Sequence, residues 1–238
     1  MDKNFLVVND DGYFDEGIKL LKEALKAFGN VYVVAPLEEQ SGKSHSVSIF
    51  KNAFEMKQFG DQELAISGTP ADCTRFGLDY FKVQFDAVFS GVNNGANLGQ
   101  DVFYSGTVAG ATEGALHGLP SVALSVGSKS HFSVVRRHIK EVIAYLLDEQ
   151  LLSTDAVLNV NFPNRDHEVM KGFRFTKQGR KETKVHFIED NGKYYNTYEF
   201  LSREDDPDSD FQAVSEGYVS ITPIILDRTH YGYLKKAK

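Results

Sequence analysis

"KNFLVVNDDGYFDEGIKLLKEAL", residues 3–25, decides the fold. FLVVN (5–9) is short and apolar up to its last residue, the pattern of a strand buried on both faces. The period then changes. Ile18, Leu21, Leu25 and Phe28 recur at helical spacing between Phe14 and Phe28, and Gly29-Asn30 supplies a stop. VYVVAP (31–36) is a second buried strand, ended by a proline. Strand, helix and strand in this order make a βαβ unit with a right-handed crossover. Between the first strand and its helix stands Asn9-Asp10-Asp11-Gly12, with two carboxylates side by side at a strand end.

The alternation continues along the chain. Residues 46–60 and 62–68 alternate and read as short strands or a hairpin. SGTPADCTRFGLDYF (67–81) predicts a helix with Thr69 as N-cap, Pro70 at its first position and Asp72 in its first turn. DAVFSG (86–91) is a third core strand, residues 105–120 a small-residue helix closed by Gly118, and SVALSVG (121–127) a fourth strand. An amphipathic helix over 131–150 and a strand over 156–163 complete the series. This order predicts an α/β fold, a mostly parallel sheet with helices on both faces, over roughly the first two-thirds of the chain.

From Gly172 onward the pattern is β. FRFTKQ, KVHFIED, KYYNTYEF and GYVSITPI alternate, and DNG (190–192) is a strong hairpin turn. EDDPDSD (204–210) reads as a solvated acidic loop. The expectation is a core over 1–165 and a β-rich extension over 166–238, within one continuous domain. The extension is read as an arm without helices of its own, placed to pack on the core or on a second copy.

Composition narrows the function. The 238 residues are 42% hydrophobic and 25% charged, ordinary for a soluble globular protein. No apolar run approaches the ~20 residues that span a bilayer, so no membrane partner is expected. There is no basic stretch leading into an apolar one at the N-terminus, so no secretory signal is expected. The single cysteine, Cys73, excludes an internal disulfide and fits a reducing cytoplasm. A net charge of −7 argues against a long nucleic acid, though not against a small phosphate ligand held by local positive potential.

Ligands of open parallel sheets sit beyond the C-terminal strand ends. Three segments deliver polar side chains there: Asn9, Asp10 and Asp11; then Ser41, Ser44 and His45; then Asn93, Asn94, Asn97, Asp101, Ser105 and Thr107. Unpaired, adjacent carboxylates push one pKa upward. A divalent cation removes that conflict, and an all-oxygen set suits Mg²⁺, Mn²⁺ or Ca²⁺ better than Zn²⁺. Capping of the next helix by one of the two aspartates explains the pair equally well. SGT (105–107) at a helix start offers a phosphate cradle or a plain N-cap. No G-x-G-x-x-G follows the first strand, which disfavours a nicotinamide dehydrogenase. Of seven histidines, His45 alone falls on this edge and is the candidate for proton transfer. Cys73 reads as buried filler, and the tyrosines at 194, 195 and 198 as packing residues.

Together, VVNDDGYFDEGI, VAPLEEQSGKSHSVSI, SGTPADC, SGVNNGANLGQDVFYSGTVAGATEGALHGLPSVALS and GYVSITPI resemble the SurE family of metal-dependent 5'/3'-nucleotidases, in family order along essentially the whole chain. The resemblance implies a Rossmann-like three-layer core with an extended C-terminal β-hairpin region, assembled as homodimers or homotetramers. It implies metal ligation by Asp10, Asp11, Ser41 and Asn93, with a phosphate site at Asn9, Asn97, Ser105, Gly106 and Thr107. Asp101 also matches the family stretch. Catalytic roles are expected for Asn9, Asp10, Asp11, Ser105 and Thr107 in hydrolysing a nucleoside monophosphate with a metal-activated water. The alternatives are short-chain polyphosphate as main substrate and a non-catalytic nucleotide sensor. An Asp10 covalent nucleophile is disfavoured, because such phosphatases usually carry their second aspartate two residues on, not adjacent.

Overall fold

The computed structural model describes residues 3–49, 53–127, 132–163, 169–203 and 205–236. β1 (Lys3–Val8) lies inside a nine-stranded sheet. Phe5 and Val7 join the apolar cluster on one face of that sheet, and Leu6 and Val8 the cluster on the other. Side chains alternate along a strand, so a run buried on both faces must be apolar without a break. α1 (Glu16–Leu25) follows, capped by Asp15, which accepts from the Gly17 N–H at 2.6 Å. The helix therefore begins after Phe14, which is 72% exposed. β2 (Gly29–Pro36) starts at the glycine expected to stop the helix. A Cβ there would lie 2.3 Å from the Lys3 carbonyl oxygen, so only glycine admits this close strand pairing.

β3 (Met56–Gly60) and β4 (Glu63–Ile66) form an antiparallel hairpin at the sheet edge. Residues 46–49, expected as strand, belong to no strand, and residues 50–52 of that stretch lie outside the described residues. α2 (Pro70–Tyr80) carries the anticipated reciprocal cap between Thr69 and Asp72. Cys73, on this helix, is fully buried. β5 (Ala87–Asn94) runs longer than its apolar core, and a 3₁₀ turn (Gly99–Phe103) leads into α3 (Gly106–Leu116). β6 (Ser121–Val126), α4 (Ser133–Asp148) and β7 (Ala156–Phe162) follow. Residue 131, the expected start of α4, and the 165/166 boundary lie outside the described residues.

β8 (Phe173–Phe175) and β11 (Val219–Ile225) extend the same sheet, in the order β3-β4-β2-β1-β5-β6-β7-β11-β8. From β4 to β7 every pairing is parallel, while β11 runs antiparallel to β7. α1 and α4 pack on one face, and α2 and α3 on the other, which makes three layers. The chain leaves β1 toward β2 on one side and later returns to β5 on the other. That reversal opens a crevice at the C-terminal ends of β1 and β5.

β9 (Lys181–Asp190) and β10 (Lys193–Arg203) form a separate two-stranded sheet. Asn191 and Gly192 both take positive φ (52° and 75°), as the DNG turn predicts. Tyr194, Tyr195 and Tyr198 are exposed rather than packed. The extension also has helices, against expectation: α5 (Asp210–Glu216) and α6 (Tyr231–Lys236). The acidic run is correspondingly not all solvated. Ser209 caps α5 and Asp210 is fully buried; residue 204 lies outside the described residues. Among the described residues no helix is long and apolar enough to cross a membrane.

Candidate active site

A cavity of about 570 Å³ opens at the crevice. Its wall includes Asp10, Asp11, Ser41, Asn93, Asn97 and Ser105, so six of the nine residues expected at the site meet there. Five carboxylates line it: Asp10, Asp11, Asp15, Glu39 and Asp101. Among the described residues, no lysine or arginine does.

Asp10 is almost completely buried. Its Oδ1 accepts from the hydroxyl of Thr107, in the first turn of α3. Burial pushes its carboxyl above the ordinary range, against the pull of that bond. Asp11 Oδ2 is buried without a hydrogen-bond partner. Burial first and the adjacent Asp10 second push the Asp11 carboxyl up to about 7. Gly106 makes this crowding possible: a Cβ there would meet Asp10 Cβ at 2.8 Å and Oδ2 at 3.0 Å. Gly12, at φ 99°, turns the chain away from the aspartates into α1.

The neutral groups are held individually. Asn93 Nδ2 donates to the Gly95 carbonyl at 2.7 Å, which leaves its amide oxygen as the end available to a cation. Ser41 Oγ donates to Glu39 Oε1 at 2.6 Å. Ser105 caps α3 by accepting from the Val108 N–H at 3.1 Å, so the plain-cap reading of SGT holds while Ser105 also faces the cavity. Asn97 donates through Nδ2 to Ser125 Oγ at 2.9 Å and through its backbone N–H to Asn161 Oδ1 at 2.9 Å.

Three expected site residues are not on the cavity wall. Asn9 brackets its own turn: Nδ2 donates to the Gly12 carbonyl at 2.9 Å and Oδ1 accepts from the Gly12 N–H at 3.3 Å. Thr107 stands behind Asp10, and Gly106 beneath it. His45 does not face the cavity either; its Nε2 lies 2.7 Å from Glu113 Oε2.

The donor set fits a divalent cation. A buried carboxylate oxygen with no partner, beside a second buried carboxylate, is costly unless one of the pair takes up a proton or a cation is shared between them. Among the described residues no three His, Cys, Asp or Glu are grouped to hold a metal. Two carboxylates completed by hydroxyl and amide oxygens are the available set, and it suits hard cations.

The family model described as survival protein SurE matches residues 5–185. The chain belongs to the SurE family. It is 41% identical to a 5'-nucleotidase SurE of Aquifex aeolicus (strain VF5), covering 98% of this chain and 96% of that one. It is 38% identical to a 5'-nucleotidase SurE of Petrotoga mobilis, covering 99% and 98%. The crystal structure of the Aquifex aeolicus SurE protein superposes with a TM-score of 0.83 at 37% identity, covering 98% of this chain and 97% of that one. The SurE fold is thus shared along nearly the whole length.

Within this SurE chain, the sequence hides several supports of the site. Asn159 and Asn161 on β7 donate to the Asn97 carbonyl at 2.8 and 3.2 Å. Two asparagines at period two in a buried strand were the available signal. Lys181, at the base of the hairpin, binds Asp101 at 2.6 and 2.5 Å, and nothing local in the sequence pairs them.

Proposed function

We propose that the chain is a divalent-metal-dependent phosphomonoesterase that hydrolyses nucleoside 5'-monophosphates to nucleoside and phosphate. The observation that carries this reading is the cavity itself, with five carboxylates on its wall and one buried carboxylate oxygen left without a partner. A phosphate dianion enters such a wall only with compensating positive charge. The nucleotidase names of relatives aligned along nearly the whole chain support the substrate class.

Asp10, Asp11, Ser41 and Asn93 would hold the cation, with Mg²⁺ or Mn²⁺ favoured and Ca²⁺ accepted. When bound, it supplies charge neutralisation and Lewis-acid activation of phosphate and attacking water. The chain's own residues do the rest. Thr107 holds Asp10 in place through its hydroxyl. The start of α3, where Ser105 faces the cavity, would offer helix N-terminal amides to phosphate oxygens and to charge that grows in the transition state. Asn97, hydrogen-bonded to Ser125, Asn159 and Asn161, is a fixed part of the cavity wall. Asn9 keeps the turn that presents Asp10 and Asp11.

The hairpin supports assembly as a homodimer or homotetramer. A two-stranded sheet alone is marginal in water, and this one exposes Phe187, Ile188, Tyr194, Tyr195, Tyr198 and Phe200. The second copy is the occupant that buries them. A reducing, cytoplasmic setting fits the buried, unpaired Cys73.

Phosphate release from 5'-AMP, 5'-GMP, 3'-AMP and an aryl phosphate, each with Mg²⁺, Mn²⁺ or Ca²⁺, tests the function. Release from the 5'-nucleotides with at least one metal supports it. Nucleotide binding without release contradicts it.

A further inference from the structure

Between Gln40 and Ile49 the chain crosses the molecule as a strap with neither helix nor strand. It starts at the aspartate pair, where the Gln40 N–H donates to the Asp10 carbonyl at 2.8 Å. Ser41 follows on the cavity wall. Ser44 takes a left-handed backbone with φ 54°. That conformation is unfavourable for serine and persists only where its surroundings hold it. Here the Ser44 N–H donates to the Tyr104 carbonyl at 3.0 Å and its hydroxyl to the Phe103 carbonyl at 2.6 Å.

One residue on, His45 meets α3. Its Nε2 lies 2.7 Å from Glu113 Oε2, and the Glu113 side chain is 9% exposed. His117, one turn along α3, is 3.3 Å from the same carboxylate, and Arg75 of α2 is 3.7 Å from it. Burial would raise the Glu113 pKa, but His45 first, then His117 and Arg75, hold it below the ordinary value. His45 is the closest of the three and the one that comes from the strap. A single helix thus supports both sides of the site. Its first turn holds Asp10 through Thr107, and Glu113 further along holds the strap that carries Ser41.

We propose that His45 and Glu113 are positioning residues whose hydrogen bond pins the strap to α3 and so sets Ser41 against Asp10 and Asp11. The inference rests on the metal reading of those residues. Neither His45 nor Glu113 lines the cavity, so both act through Ser41. Ser41 lies between the Gln40 anchor and the contacts of Ser44 and His45, so the segment that carries it is held at both ends.

The test uses His45→Ala and His45→Gln; the glutamine amide still donates to Glu113. Mn²⁺ binding is measured by calorimetry, with kcat and KM for 5'-AMP across a Mn²⁺ titration and Tm as a control. The wild type binds Mn²⁺. His45→Ala weakens that affinity about tenfold, as removal of an outer supporting partner does at metal sites. Excess Mn²⁺ restores its turnover, KM for 5'-AMP stays near the wild-type value, and His45→Gln recovers most of the affinity. Wild-type Mn²⁺ affinity in His45→Ala, or a turnover loss that excess Mn²⁺ leaves in place, overturns the proposal. If His45→Ala fails to fold, Glu113→Gln is read in the same way. A wild-type protein that binds no Mn²⁺ would overturn the metal reading instead.

Discussion

The hydroxyl of Thr107 donates to Oδ1 of Asp10, tying the first turn of α3 to the end of β1. Two elements far apart in sequence thus meet at one buried carboxylate. Thr107→Val keeps the shape and removes the bond. A hydrogen bond to a charged group contributes about 1.5–3 kcal/mol. The variant should lose roughly tenfold to a hundredfold in kcat/KM. Steady-state kinetics on 5'-AMP checks this, and unchanged kinetics would remove Thr107 from the site.

Gly106 lies beneath the same carboxylate. In Gly106→Ala the new Cβ would stand 2.8 Å from Asp10 Cβ, so the α3 start or Asp10 must move. Overpacking of this kind costs about 1–3 kcal/mol. Thermal unfolding should show a drop of roughly 2–10 °C, accompanied by loss of phosphate release. Full activity would mean that Asp10 tolerates displacement.

Asp210 clamps the 3₁₀ turn to the hairpin base. Its Oδ2 accepts from the Gly99 N–H at 2.8 Å, and its Oδ1 from Gly179 at 3.0 Å and Phe211 at 2.8 Å. Asp210→Ala leaves these amides without their acceptor, and each unpaired buried donor costs about 1–3 kcal/mol. Tm should fall by roughly 10 °C. A shift near zero would show that water replaces the carboxylate.

Glu113 makes stability depend on pH. Its folded pKa lies below the ordinary glutamate value of about 4.5, because His45, His117 and Arg75 outweigh burial. The contacts of its carboxylate therefore stabilise the fold fully above that value and are lost as pH falls through the depressed folded pKa. Glu113→Gln should unfold at lower temperature than the wild type at pH 7. The gap should narrow below pH 4.5. A gap that stays constant down to acid pH would assign the effect to packing.

Much of this was legible in the sequence, for physical reasons. β1 must be apolar on both faces, and Thr69-Pro70 with Asp72 leaves little but a helix start. Asp10, Asp11 and Ser41 follow strand ends and Asn93 stands near the end of one, and the C-terminal ends of a parallel sheet converge. What stayed hidden depends on distant contacts. Residues 46–49 alternate like a strand, yet Ser48 bonds Asp72 at 2.8 and 2.9 Å and the segment stays a strap. Asp210 reads as one more acid in a charged run, because its amide partners lie at Gly99 and Gly179. Asn9 and Thr107 sit at the expected positions, but their side chains support the site from behind instead of lining it.

A divalent cation shared by Asp10 and Asp11 would explain why two carboxylates stand side by side at the end of β1. The most direct measurement is phosphate release from 5'-AMP by protein dialysed against EDTA, before and after Mn²⁺ is added, with Asp10→Asn alongside. If the cation is required, no phosphate is released until Mn²⁺ is present, and none by Asp10→Asn at any Mn²⁺ concentration while its circular dichroism stays native. Release in EDTA, or near-normal turnover by Asp10→Asn, would contradict it.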